Sequence, residues 1–253
     1  MQENLIKYSI CFCTRNEELN IGYCLDDALE NIPKIIGDQT EYEIIVIDNA
    51  SNDNTPKIVK TYKLKHPQIK LIQHTTNKLY SGSYVSALKF SKGEYIAILD
   101  GDYQHTCKDL YNFIKLMNQK NCDVVFGWKK NRNDNYLRII FSAGFRLVSK
   151  IILNHDLNDI NCGYRLFRNT AAQKITISEM VNSVGPEIYM EISQLNLVLG
   201  EVIVNHFSRK RGASLHGTIS GLLKNSGIFT LYMLRLRKKY NKRKLVKTNR
   251  LCK

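Results

Sequence analysis

No apolar run in this sequence approaches the roughly 20 residues that a membrane span needs. The longest candidate, Ile219 to Leu236, is interrupted by Lys224 and Arg235. The N-terminus lacks the basic stretch followed by an apolar one that marks a secretory signal. With neither feature, the chain is expected in the cytoplasm. Its seven cysteines are an odd count in a chain without a signal, so no disulfide framework is expected. No Cys/His cluster has zinc-ligand spacing. Internal repeats and Pro- or Gly-rich linkers are missing too, which favours one folded domain with an appendage. No RNP, KH or helix-turn-helix signature is present, so nucleic acid is not an expected partner despite the basic composition.

That composition is uneven. The formal net charge is +14, yet ten Lys or Arg and no acid fall between Met233 and Lys253, leaving +4 for the rest. A local basic tail suits an anionic membrane surface or nucleic acid, and the missing nucleic-acid motifs favour the membrane. The resulting division is an α/β domain over residues 1–220 and a basic amphipathic segment over residues 221–253.

The first half alternates between two periodicities. Lys7–Cys13, Glu43–Ile47, Ile69–Gln73, Tyr95–Leu99 and Asp123–Gly127 are short apolar runs typical of buried strands. Between them, Ile21, Leu25, Ala28, Leu29, Ile32 and Ile36 recur at helical spacing, Pro56 opens a second helix, and Ser83–Phe90 and Lys108–Gln119 read as two more. Strands without strict alternation, separated by helices, predict a mostly parallel, Rossmann-like sheet covered on both faces. Cys11 and Cys13, two apart in a strand, should face the same buried side. Ligands bind such sheets at the carboxyl ends of the strands. The second half is less regular: Leu137–Leu153 predicts a helix, Glu201–Asn205 a strand, and Glu187 and Glu191 share a face if their segment is helical.

Asp100-Gly101-Asp102-Tyr103-Gln104-His105 follows directly on a strand. Asp100, Asp102 and Gln104 form a hard oxygen-donor set that suits Mg²⁺ or Mn²⁺ shared with phosphate oxygens. Gly101 lets a backbone come close to a ligand. Lys129, Arg209 and Arg211 are candidates for the remaining phosphate charge.

Five motifs together resemble the family 2 glycosyltransferases, in the order seen there. They are Thr14–Glu18 (TRNEE), Ile47–Asp53 (IDNASND), Asp100–His105 (DGDYQH), Asn161–Arg165 (NCGYR) and Arg209–Ser214 (RKRGAS). They look most similar to the branch that acts on dolichyl or polyprenyl phosphate, over roughly residues 7 to 220. The resemblance implies a GT-A nucleotide-binding fold and a metal-dependent, inverting transfer of a hexose from a nucleotide-sugar (GDP-mannose or a UDP-sugar). It implies donor contacts from Cys13, Arg15 and Glu17, base contacts from Ile47 and Asn49 beside Asp48, and metal and diphosphate ligation by Asp100 and Asp102 with Gln104. Lys129 matches a donor-contacting basic residue, and Arg209 one that closes over the phosphates, so Asp102 and Arg209 are the expected catalytic pair. The usual pattern has Pro, Tyr, Asp, Arg and Lys at positions 13, 15, 49, 129 and 215, where this chain has Cys, Arg, Asn, Lys and Leu. Leu215 removes a phosphate cation, for which Arg211 or His216 is the expected substitute.

A lipid-phosphate acceptor is already an anion and needs positioning rather than a base. A glycan hydroxyl would need one, and Glu187 and Glu191 are the candidates. A catalytically inactive nucleotide-sugar-binding protein is the non-enzyme alternative. Peripheral attachment to the cytosolic leaflet, with a possible membrane-anchoring partner, is expected from the basic tail and the mixed apolar and basic helices.

Overall fold

The computed structural model describes residues 5–130, 136–178, 181–209, 219–241 and 251–252. Its centre is an eight-stranded sheet in the order β3-β2-β1-β4-β6-β5-β7-β8. The strands are β1 (Tyr8–Thr14), β2 (Tyr42–Asp48), β3 (Ile69–Gln73), β4 (Tyr95–Asp100), β5 (Val124–Trp128), β6 (Arg165–Arg168), β7 (Leu199–Ile203) and β8 (Leu251–Cys252). Every pairing is parallel except those of β6, which runs antiparallel to both β4 and β5. The helices are α1 (Ile21–Ile36), α2 (Thr55–Lys65), α3 (Leu79–Phe90), α4 (Leu110–Lys120), α5 (Tyr136–Leu153), α6 (Asn169–Ala172), α7 (Gly185–Gln194) and α8 (Ile219–Asn241).

Alternation along each strand sorts its side chains onto two cores. Ile10, Phe12, Ile44, Val46, Ala97 and Leu99 pack toward α1, α2 and α4. Cys11, Cys13, Ile45, Ile47, Ile96 and Ile98 pack toward α3, α7 and α8. Both faces are covered, as the strand–helix alternation predicts, and the two cysteines do share one side. All seven cysteines are free thiols.

Two features depart from the sequence reading. β6 was not foreseen, because RLFR begins and ends on a cation. Yet Arg165 is 1% exposed, its guanidinium 4.5 Å above the Phe126 ring, donating to Tyr84 Oη and Ile160 O. A cation over an aromatic face with its N–H groups bonded tolerates burial that a bare one would not. The second departure is the boundary drawn at residue 220, which falls inside α8. Tyr232, Met233, Leu236 and Tyr240 of that helix are core residues. Glu187 and Glu191 do share a face of α7, and that face holds α8. Glu187 is fully buried against Lys239 Nζ at 3.0 Å, and Glu191 accepts from Tyr240 Oη at 2.5 Å. These carboxylates anchor a helix and are therefore removed from the set of acceptor bases.

Candidate functional site

Because β1, β2, β4 and β5 are parallel, their carboxyl ends, Thr14, Asp48, Asp100 and Trp128, lie along one sheet edge. The loop after β4 carries Asp102, Tyr103 and Gln104. Its turn requires a left-handed Tyr103 (φ 58°), an uncommon conformation for a bulky residue and one concentrated at functional sites. The loop is clasped by the segment after β7. Gln104 Nε2 donates to Phe207 O at 3.0 Å, Phe207 N donates to Gln104 O at 2.9 Å, and His105 Nδ1 meets Asn205 O at 3.0 Å.

That clasp brings Arg209 to the acidic centre across 192 residues of sequence. Its Nη2 lies 2.8 Å from both carboxylate oxygens of Glu17, and its Nη1 lies 4.0 Å from Asp102 Oδ2. Burial, then the charges of Asp100 and Glu17, push the Asp102 carboxyl up from 3.8 to about 6. Burial likewise raises Glu17, against the opposing pull of Asn20 and Arg209. A small cavity of about 120 Å³ opens here between Asn20, Asp102, Tyr103, Phe207 and Ser208.

Mg²⁺ or Mn²⁺ fits this donor set. The charges of Asp100 and Glu17 oppose ionisation of the buried Asp102, a repulsion that a hard dication would relieve, and Asp100, Asp102 and Gln104 could supply oxygen ligands. Among the described residues no three His, Cys, Asp or Glu side chains converge as a cage. A cation held here would therefore complete its shell with phosphate oxygens and water.

The remaining expected donor contacts fare unevenly. Arg15 is exposed at the rim. Cys13 and Ile47 turn their side chains into the core, and burial followed by the Asp100 charge raises the Cys13 thiol well above its usual range. Ile47 is 0% exposed, so its side chain is withdrawn from any base. Asn49 spends its whole amide on the protein. Its Nδ2 donates to Asn77 Oδ1 and Leu79 O, while its Oδ1 accepts from Lys78 N and meets His74 Nδ1. Base reading by its side chain would break that network, so the expected role is not the one this geometry serves. Asp48 is buried beside it with Oδ1 unbonded. Gly101 serves a different close approach from the one expected: a Cβ there would lie 2.3 Å from Thr14 Cγ2, so the space belongs to β1 rather than to a ligand. Lys129 is buried and ion-paired with Asp159 at 3.0 Å, and its charge, after burial, lowers His105. Arg211 lies outside the described residues.

Sequence reasoning did not single out Asp159 or Phe207, and it took in Gly163 only as part of the NCGYR motif. Asp159 and Phe207 act on site residues 30 and 103 positions away through contacts that no local pattern announces.

A family model described as "Glycosyl transferase family 2" matches residues 9–176. Among curated proteins, a dolichyl-phosphate beta-glucosyltransferase of Dictyostelium discoideum is 27% identical over 220 residues, covering 79% of this chain and 66% of that protein. A dodecaprenyl-phosphate galacturonate synthase of Rhizobium johnstonii is 22% identical over 204 residues, covering 80% and 59%. The chain thus spans about six-tenths to two-thirds of these relatives' length. Among solved structures, a mannosyltransferase from Pyrobaculum calidifontis in complex with GDP-Man and Mn²⁺ aligns with a TM-score of 0.59 at 16% identity, over 92% of this chain and 73% of that one. Glucosyl-3-phosphoglycerate synthase from Mycobacterium tuberculosis aligns at 0.64 and 12%, over 92% and 79%. These structural likenesses establish the shared fold.

Proposed function

The chain belongs to glycosyl transferase family 2, and we propose that it moves one hexose, with inversion, from a nucleoside-diphosphate sugar to a polyprenyl or dolichyl phosphate at the cytosolic face of a membrane. The observation that carries this reading is Arg209 paired with Glu17 and lying 4.0 Å from Asp102, whose carboxyl also feels the charge of Asp100, at the carboxyl edge of the sheet. Departure of a nucleoside diphosphate from an anomeric carbon builds negative charge on its β-phosphate. A divalent cation held by Asp100, Asp102 and Gln104 supplies countercharge for it when bound. Arg209, on a segment clasped to the Gln104 loop, can exchange Glu17 for a phosphate and so orient the leaving group.

The acceptor is read from chemistry and kinship together. Both curated relatives are named for lipid-phosphate acceptors. A phosphate oxygen attacks without a base, and Glu187 and Glu191 are committed to α8. Membrane contact is supported by one surface. Phe145 packs 4.3 Å from Phe229, and Arg237 Nη1 donates to Ile151 O at 3.0 Å, so α5 and α8 run side by side. Leu147 and Ile151 of α5 and Ile228, Leu231 and Leu234 of α8 stay exposed along that pair. Cations at Arg235 and Lys238 lie near one end, an interfacial arrangement. No helix among the described residues is long and apolar enough to cross a membrane.

The test offers GDP- and UDP-sugars with a polyprenyl phosphate in the presence of Mn²⁺ and reads the lipid product. One donor should yield glycosylated lipid, chelation should stop it, and Asp102→Ala should lower turnover by at least ~100-fold in a folded protein. Transfer to a glycan hydroxyl with none to lipid would replace the acceptor, and wild-type turnover in Asp102→Ala would refute the site.

A further inference from the structure

The antiparallel insertion of β6 has a geometric consequence at the acidic centre. A strand running against its neighbours enters the sheet at the edge where they end. Ile98 of β4 pairs with Arg165, so the chain just before β6 passes level with Asp100. Gly163 lies there, and a Cβ on it would sit 2.0 Å from Asp100 Oδ2 and 2.7 Å from its Cγ. Among the described residues only Gly37 is a glycine with positive φ, so Gly163 keeps a backbone open to any residue. Space, and not conformation, is what it provides.

The segment around it has little freedom to yield. Asn158 N and Asp159 N both donate to Glu201 Oε1, at 2.7 and 3.0 Å. Arg165 Nη2 donates to Ile160 O at 2.9 Å, and Gly127 N to Tyr164 O at 2.9 Å. From behind, a Cβ on Gly185 would come within 1.9 Å of Ile160 O. The same segment carries Asp159, the partner of the buried Lys129.

We infer that residues 159–165 form a bracket holding the Asp100 carboxylate and the Lys129 ammonium in fixed relation, with Gly163 as the positioning residue for Asp100. The part of this inference that concerns cation binding rests on the metal-dependent reading above; the contact itself does not. A methyl group at 163 meets the end of a short side chain on one side and a bonded backbone on the other. The carboxylate is the part that can turn away, so the fold should persist while the ligand leaves its place.

The test titrates Mn²⁺ into the full chain with GDP or with UDP and reads free Mn²⁺ by electron paramagnetic resonance. Gly163→Ala should fold with a modest melting loss that shrinks in the Asp100→Ala background, and bind Mn²⁺ at least about tenfold more weakly, the scale of losses seen when a ligand's supporting partner is removed. Gly144→Ala, where an added Cβ meets nothing within 4 Å, should bind as wild type does. Wild-type affinity in a folded Gly163→Ala protein overturns the inference. Should Gly163→Ala fail to fold, Asp100→Ala/Gly163→Ala must fold as well as Asp100→Ala, since the clash is gone; its failure overturns the inference too. If wild type takes up no Mn²⁺ with either nucleotide, the metal reading falls and the melting cycle decides the contact. The loss from Gly163→Ala must then shrink in the Asp100→Ala background, and an equal loss in both backgrounds overturns it.

Discussion

Asp102→Asn should make the ligand-free protein more stable while removing its activity. Burial and the charges of Asp100 and Glu17 push the Asp102 carboxyl from 3.8 up to about 6. A carboxyl raised on folding binds its proton more tightly in the folded state, so its ionisation opposes folding. That penalty is absent below about pH 3.8, grows between 3.8 and 6, and is complete above about pH 6. Two pKa units at 1.36 kcal/mol each give about 3 kcal/mol as an upper limit at pH 8, and about half of that at pH 5. The side chain is 18% exposed, so solvent screening removes only part of it. Asparagine retains an oxygen for the bond now made by Gln104 N to Asp102 Oδ1 at 3.1 Å, so the neutral variant keeps the loop's own contact. At roughly 2–4 °C per kcal/mol for a chain of this size, the melting temperature should rise by several degrees at pH 8. The gain should shrink steadily toward pH 5. Differential scanning calorimetry in chelator, at several pH values, measures it. Saturating Mn²⁺ with nucleoside diphosphate should reverse the order, since only wild type gains binding energy. A variant that melts at or below wild type at pH 8 in chelator would refute the electrostatic account of this centre.

Asn49→Asp should cost about 2 kcal/mol, because a carboxylate would face Asn77 Oδ1 and Leu79 O, two acceptors that the amide now satisfies. GDP and UDP affinities should change by the same factor, measured by titration calorimetry; a preference switched more than about tenfold would restore residue 49 to base reading. Ile151→Asp combined with Leu231→Asp should weaken binding to anionic vesicles in a flotation assay and leave donor hydrolysis in solution unchanged, since both side chains are exposed on the α5–α8 surface. Unaltered flotation would show that the membrane face lies elsewhere.

The alternation of strands and helices was legible because each element carries its own period. The Asp100–His105 loop was legible because oxygen donors suited to a hard cation cluster within five residues. What the sequence hid shares one property: its meaning depends on partners far along the chain. Arg165 reads only as the last residue of the NCGYR motif until Phe126 and Tyr84 supply the aromatic faces that bury it. Glu187 and Glu191 read as a solvated or catalytic pair until α8, some fifty residues on, brings Lys239 and Tyr240 to them.

Asn49 shows the same limit inside the site. It occupies the position where the family pattern has a carboxylate, and position alone assigns it to the base. An amide, though, both donates and accepts, and the loop at Asn77–Leu79 offers it two acceptors and a donor. An aspartate could accept only the donor side of that network, so the change from Asp to Asn is a change of partner as well as of charge. Leu79 takes a left-handed backbone (φ 56°) in that loop, and its carbonyl is one of the acceptors. Holding leucine there costs on the order of 1–2 kcal/mol. The bond from Asn49 Nδ2 is one of the contacts that offsets it, so this residue acts in the ligand-free protein through the loop it holds.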